Sequence, residues 1–157
     1  MLHFEHTIVI NEPRQPAHER IDIESLWKAL LFRARYPGHF NPALKCRLLN
    51  EQENSFTRVI IAGEMELHDE VTLIPGQEIR TLIDGRHQSM HAESVTRIEQ
   101  PAPGVLQIRF IYRRDSLGEQ GGIDADAYLK SAYVQNDREA VATIREMIAH
   151  GWSAAHM

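Results

Sequence analysis

Nine histidines invite a metal-site reading first. His3-Phe4-Glu5-His6 packs ligand types tightly, but side chains alternate along a strand, so His3 and Glu5 share one face and His6 takes the other. Ligands that cannot converge do not hold an ion. His68-Asp69-Glu70 has the same defect beside an expected turn, and neither HExxH nor a Cys/His pairing occurs. No metal and no cofactor are expected. Nucleophilic chemistry fares no better: there is no GxSxG, and Cys46 sits in an expected strand without an activating neighbour, as a small buried or half-buried residue. Gly121-Gly122 precedes a long helix but lacks the pattern of a phosphate-binding loop. Arg113-Arg114 reads as a solvated strand end.

Polar residues on otherwise apolar faces say more, because a buried polar group needs a partner or a ligand. His6 lies between Phe4 and Ile8, Ser94 and Thr96 between Met90 and Ile98, Tyr112 beside Phe110, and Tyr133 on the apolar stripe of a helix. Tyrosine hydroxyls tipping an apolar wall occur both in pockets that orient a ligand and in ordinary cores. Arg58 alternates with Phe56 and Ile60, so either it points inward beside a carboxylate or its strand carries a bulge.

These side chains are positioned by a simple order of elements. Leu2 to Ile10 alternates as a strand, and NEPRQPAHER is a loop. Asp22 caps a helix over about Ile23 to Arg35, with Leu26, Trp27, Leu30 and Leu31 as its apolar stripe. Pro37-Gly38 stops it, and Pro42 closes a short helical piece around His39-Phe40. Strands are then expected at Leu44–Glu51, Phe56–Leu67, Glu70–Ile74, Glu78–Ile83, Met90–Glu99 and Val105–Arg114, with tight turns between them that require an antiparallel meander. In the last, Leu106, Ile108, Phe110 and Tyr112 face inward and Arg109 and Arg113 outward. After a polar loop from Asp115 to Gly122, a helix runs from about Asp124 to His150 and ends at Gly151. Leu129, Tyr133, Ala140, Ile144 and Met147 form its stripe, with Ser131, Arg138, Ala142 and Arg145 opposite. Such a helix is roughly 40 Å long and matches a whole sheet, so it is expected to lie across the concave face of a curved one, with a cavity beneath as a geometric expectation.

The chain has 157 residues and a net charge of −5, without a basic block, so nucleic acid is not an expected partner. One cysteine gives no internal disulfide. The opening MLHFEHTIVI lacks the pattern of a signal peptide, and no apolar run suffices for a membrane span, so the expected location is cytoplasmic. A single domain over 1–157, monomeric or homodimeric, is expected.

Four segments in order carry a family resemblance: FEHTIVIN with the proline that follows it, LWKALLFRARYPGHFNP, IEQPAPGVLQIRFIY, and AYVQNDREAVATIRE before the final glycine. Together they resemble the AtaL-like branch of the helix-grip superfamily. That superfamily holds START lipid-transfer domains, birch-pollen-allergen-like plant proteins and bacterial polyketide aromatase/cyclases. The resemblance implies an α+β helix-grip fold, with a seven-stranded antiparallel sheet curved around the C-terminal helix and two short helices between strands one and two. It also implies a hydrophobic cavity for a small molecule, but brings no catalytic residue with it.

The reading is a ligand-binding protein rather than an enzyme. A small hydrophobic or aromatic ligand would contact Ile8, Ile108, Phe110, Ala140 and Ile144, and be oriented by His6, Thr96, Tyr112, Tyr133, Asn136 or Asp137. The alternatives are an aromatase/cyclase-like enzyme with an acid/base pair at the cavity floor, or a protein-interaction module with a filled core. Asp137 is the residue on which these readings turn. It falls between Ile144 and Ile148 on the helix stripe, where a carboxylate must be paired, protonated or hydrated. Either the first half of the helix lifts and leaves it beside water or an arginine such as Arg20, or it meets a polar ligand end or serves as a cyclase-like acid or base. The resemblance includes an acid at this position, usually after a smaller residue than Asn136, which implies a more polar cavity here.

Overall fold

The computed structural model describes residues 1–153; the last four positions of the expected domain, 154–157, lie outside the described residues. The elements are β1 (Leu2–Asn11), α1 (Ile23–Arg35), α2 (Pro37–Phe40), β2 (Leu44–Leu49), β3 (Ser55–Ala62), β4 (Met65–Ile74), β5 (Glu78–Ile83), β6 (Ala92–Glu99), β7 (Leu106–Arg114), β8 (Glu119–Gln120), β9 (Ile123–Asp124) and α3 (Ala125–Ala149). A single 3-10 turn, Ala17–Glu19, interrupts the first loop. The main sheet has seven strands in the order β1-β7-β6-β5-β4-β3-β2, antiparallel throughout. Strands β2 to β7 form a meander, and β1 adds to its far end, so the α1–α2 segment carries the chain from one sheet edge to the other.

Local chemistry explains the element ends. The Asp22 carboxylate accepts the Ser25 backbone N–H at 2.7 Å, capping α1. That bond holds its pKa below the usual carboxylate value. Asp124 caps α3 in the same way through Ala127, at 3.0 Å. Gly151, at φ 82°, turns the chain out of α3.

Two turns depart from expectation. The expected strand Phe56–Leu67 is broken by a two-residue hairpin, because Ala62 pairs with Met65 and Gly63 takes a left-handed φ of 63°. A lone glycine without proline or asparagine beside it was too weak a turn signal. In consequence His68-Asp69-Glu70 lies within β4, not beside a turn, and Asp69 sits directly across from Arg58. Gly121-Gly122, expected as a helix-entry loop, instead turns the β8–β9 hairpin, both residues having positive φ.

The inner face carries the core. Leu106, Ile108 and Phe110 are buried with Ile10, Leu26, Leu30, Phe56, Val71, Val141 and Ile144. Arg113 is exposed on the opposite face, and Arg109 there bonds Glu5 and Glu99. The register expected for β7 therefore holds. One residue of α3 behaves differently from its expected solvated position: Arg145 reaches back to donate to the carbonyls of Val9 and Ile10, at 3.0 and 2.9 Å. A bulge between Val9 and Asn11 frees these carbonyls at the sheet edge, and a long guanidinium can reach them from the flank of the helix.

Truncation separates the two faces. Phe110→Ala, at a fully buried position, is expected to lower unfolding free energy by about 3–5 kcal/mol. Arg113→Ala should stay within about 0.5 kcal/mol of the parent. Urea denaturation measures both; comparable losses would mean the inner and outer faces are misassigned.

Candidate functional site

The inner face of the sheet changes character row by row. Ile8, Ile108 and Ile98 lie side by side across β1, β7 and β6, a wholly apolar row. The next row reads His6, Phe110, Thr96 and Ile79, and the one after it Phe4, Tyr112, Ser94 and Thr81. Short hydroxyl side chains thus replace large apolar ones in the middle of the sheet. Under α3 they leave a semi-enclosed cavity of about 290 Å³, near the lower end of typical ligand pockets. Leu30, Ala34, Pro37, Leu44, Ile60 and Ile79 supply its apolar walls, and Arg33, Arg58, Thr81, Ser94, Thr96, Tyr112, Tyr133, Asn136 and Asp137 its polar ones. A second space of about 310 Å³, reaching Ile83, Ala92 and Arg114, shares Tyr112, Tyr133, Ser94 and Thr81 with it. A depression of about 390 Å³ elsewhere lies mainly on the sheet's outer face, among Glu70, Arg80, Glu93 and Arg113. It is open and faces away from the helix.

A buried carboxylate closes one end of the cavity. Asp137 on α3 is only 1% exposed. Its Oδ2 accepts from His6 Nε2 of β1 at 2.8 Å and from the Tyr112 hydroxyl of β7 at 2.5 Å, and its Oδ1 accepts from Arg33 Nη2 of α1 at 3.1 Å. The first contact requires the proton on His6 Nε2. The His6 ring also stacks on Phe110, with centroids 5.0 Å apart. Burial pushes the Tyr112 phenol well above its ordinary pKa, and the adjacent Asp137 charge adds to the effect.

A second pair lies across the cavity. Arg58 points inward with no bulge, forks onto Asp69 through contacts of 2.9 and 2.6 Å, and donates to the Ala34 carbonyl at 2.8 Å. Thr81 and Ser94 share a hydrogen bond of 2.5 Å on the floor. Cys46 is half-buried, and desolvation raises its thiol pKa, which is unfavourable for a nucleophile.

The residues singled out from the sequence divide into two groups. Thr96, Tyr112, Tyr133, Asn136 and Asp137 line the cavity, and His6 stands behind Asp137. Ile8, Ile108, Phe110, Ala140 and Ile144 do not line it; they fill the packed part of the core, where large apolar side chains meet. Asp137 is not left beside water, and the arginine beside it is Arg33, not Arg20. Arg20 instead donates to the carbonyls of Glu12 and Gly104, at 2.7 and 2.8 Å. Arg33 carried the same signal as Asp137: it falls three residues after Leu30 and seven after Leu26, on the stripe of α1. Thr81 was missed because one threonine in a strand is ordinary. Among the described residues, no three His, Cys, Asp or Glu side chains gather as metal ligands, and no helix is long and apolar enough to cross a membrane.

The family model of AtaL, acetylaranotin biosynthesis cluster protein L, matches residues 4–151. No curated protein matches the sequence significantly. Among solved structures, the Zhui aromatase/cyclase from Streptomyces sp. R1128 is 16% identical, with a TM-score of 0.62 over 97% of this chain and 99% of that one. The di-domain ARO/CYC BexL from the BE-7585A biosynthetic pathway is 10% identical, with a TM-score of 0.64 over 92% of this chain, which spans only 50% of that protein. A START superfamily protein from Mycobacterium smegmatis is 11% identical, with a TM-score of 0.53 over 93% of this chain and 98% of that one. Likeness at these identities concerns the fold alone, and the fold is the helix grip.

Two outcomes follow from the carboxylate network. Asp137→Asn turns an amide donor toward groups that are themselves donors, so it is expected to cost about 3 kcal/mol. For a chain of this length that lowers Tm by about 6–12 °C; an unchanged calorimetric Tm would contradict the network. The second concerns alkaline pH. The raised Tyr112 pKa leaves stability unaffected below the unfolded phenol's pKa of about 10. Above it the unfolded chain ionises first, so stability falls with pH by up to about 1.4 kcal/mol per pH unit. Chemical denaturation from pH 8 to 11 should show a shallower decline in Tyr112→Phe, and parallel curves would contradict the assignment.

Proposed function

The chain belongs to the AtaL family, and we propose that it binds a small hydrophobic or aromatic molecule reversibly in the cavity beneath α3. The observation that carries this reading is the run of short side chains, Thr81, Ser94 and Thr96, at the centre of the inner sheet face, where a packed core would hold leucine or isoleucine. Apolar contact with Leu30, Leu44, Ile60 and Ile79 supplies most of the affinity, at about 25 cal/mol per Å² buried. Thr96, Tyr112, Tyr133 and Asn136 orient the ligand, while His6 holds Asp137 from behind. The space left in the core disfavours a purely protein-binding module.

A cyclase-like enzyme is the second reading, favoured by the meeting of His6, Tyr112 and Asp137 at the cavity end and by the names of two structures of like fold. The chemistry weighs against it. Asp137 already accepts three hydrogen bonds, so taking a substrate proton would displace one of its donors. Tyr112, with its pKa pushed far up, is a poor acid near neutrality. A carrier needs neither group to titrate.

Calorimetric titration with naphthalene tests the reading. Saturable binding to the parent is expected, and Thr96→Phe should abolish it by filling the space. Absence of saturable binding to the parent, or its survival in the filled variant, would sink the proposal.

A further inference from the structure

Tyr112 and Tyr133 stand where the two parts of the cavity join, lining both, with ring centroids 4.4 Å apart. Phe4 backs both rings, at 5.2 and 5.8 Å. Their hydroxyls have opposite commitments. A carboxylate can only accept hydrogen bonds, so the contact with Asp137 uses the single proton of Tyr112 and leaves its oxygen lone pairs unspent. A guanidinium can only donate, so the contact of 3.3 Å from Arg114 Nη1 uses a lone pair of Tyr133 and leaves its proton unspent. Among the described residues neither hydroxyl bonds the other. Side by side on an apolar wall, the pair presents one acceptor and one donor.

We infer that this tyrosine pair recognises a neutral hydroxyl carried on an apolar skeleton. Such a hydroxyl donates to Tyr112 and accepts from Tyr133 at once. A carboxylate or other anion has no proton for Tyr112, and an ammonium has no lone pair for Tyr133, so both leave half of the pair unmet. The Thr81–Ser94 bond holds those neighbouring hydroxyls together, so the tyrosines offer the directional contact nearest the junction. The apolar skeleton of the ligand then lies against Ile60, Leu44 and Ile79. The inference rests on the proposed binding function and adds the polarity of the ligand to it.

Three probes at neutral pH separate the contacts: naphthalene, 2-methoxynaphthalene and 2-naphthol, measured calorimetrically. Naphthalene reports the apolar cavity alone, the methyl ether adds acceptance from Tyr133, and the naphthol adds donation to Tyr112. The parent is expected to bind 2-naphthol about tenfold more tightly than the ether. Tyr112→Phe should remove the difference between naphthol and ether. Tyr133→Phe should weaken both by a larger factor than it weakens naphthalene. Tyr133 is only half-buried, so its variant keeps the test available if Tyr112→Phe unfolds. Equal affinity of the parent for naphthol and ether, or a preference that survives in both variants, overturns the inference while naphthalene binding leaves the cavity reading intact. Failure of all three probes to bind overturns both.

Discussion

A single buried carboxylate holds the arrangement together. Asp137 belongs to α3, and its three donors come from β1, β7 and α1, so one side chain ties the helix to the sheet edge, to the adjacent strand and to the helix that crosses between edges. An isolated charge at 1% exposure would be prohibitively costly, and the network offsets that cost only with every partner in place. A register shift of α3 by one residue would turn the carboxylate away from all three. The apolar stripe of α3, with Ala140, Val141 and Ile144, sets which face turns inward, and the directional bonds to Asp137 add a requirement that apolar contact lacks.

The same constraint explains the cavity's place. Below the network, Ile144 and Val141 meet Ile108, Ile10 and Leu106 in a solid core. On the other side, Thr81, Ser94 and Thr96 face the helix without filling the gap, yet α3 is held at its height by Asp137 and cannot settle to close it. The Arg58–Asp69 pair does similar duty across the space, fixing β3 and β4 and reaching the end of α1 through the Ala34 carbonyl. Two ion-pair systems therefore brace the space from opposite sides, which is how a chain of this size keeps unfilled volume near its core.

Much of this was legible in the residues. Period-two alternation fixes the faces of β1 and β7, turn residues separate most of the strands, and the cap at Asp22 marks α1 to the residue. Four of the misfits on apolar faces, His6, Arg58, Tyr112 and Asp137, prove to be members of the two networks. What escaped was pairing over long separations. Asp137 and Arg33 lie 104 positions apart, and although the stripe of α1 marks Arg33 as inward, no local pattern says that it meets Asp137. The cavity wall escaped for a related reason. Ile108 and Phe110 look like lining because they are inward and apolar, but large inward side chains fill space, and it is the small ones that leave it.

In the proposed binding role, stability and recognition meet in Tyr112. Its hydroxyl completes the Asp137 network and its ring forms part of the cavity wall, so the bond that secures α3 also sets the direction in which that hydroxyl can interact. Tyr133 is polarised the other way by Arg114 at the end of β7. Were Tyr112 free to rotate, its proton would face any acceptor that entered, and the wall would favour carbonyls and anions. Bound to a carboxylate, it can only accept. The charge buried to hold the helix thus determines which hydrogen bonds the cavity has left to offer, and a substitution that relieved that charge would alter the selectivity of the wall as well as the height of the helix above it.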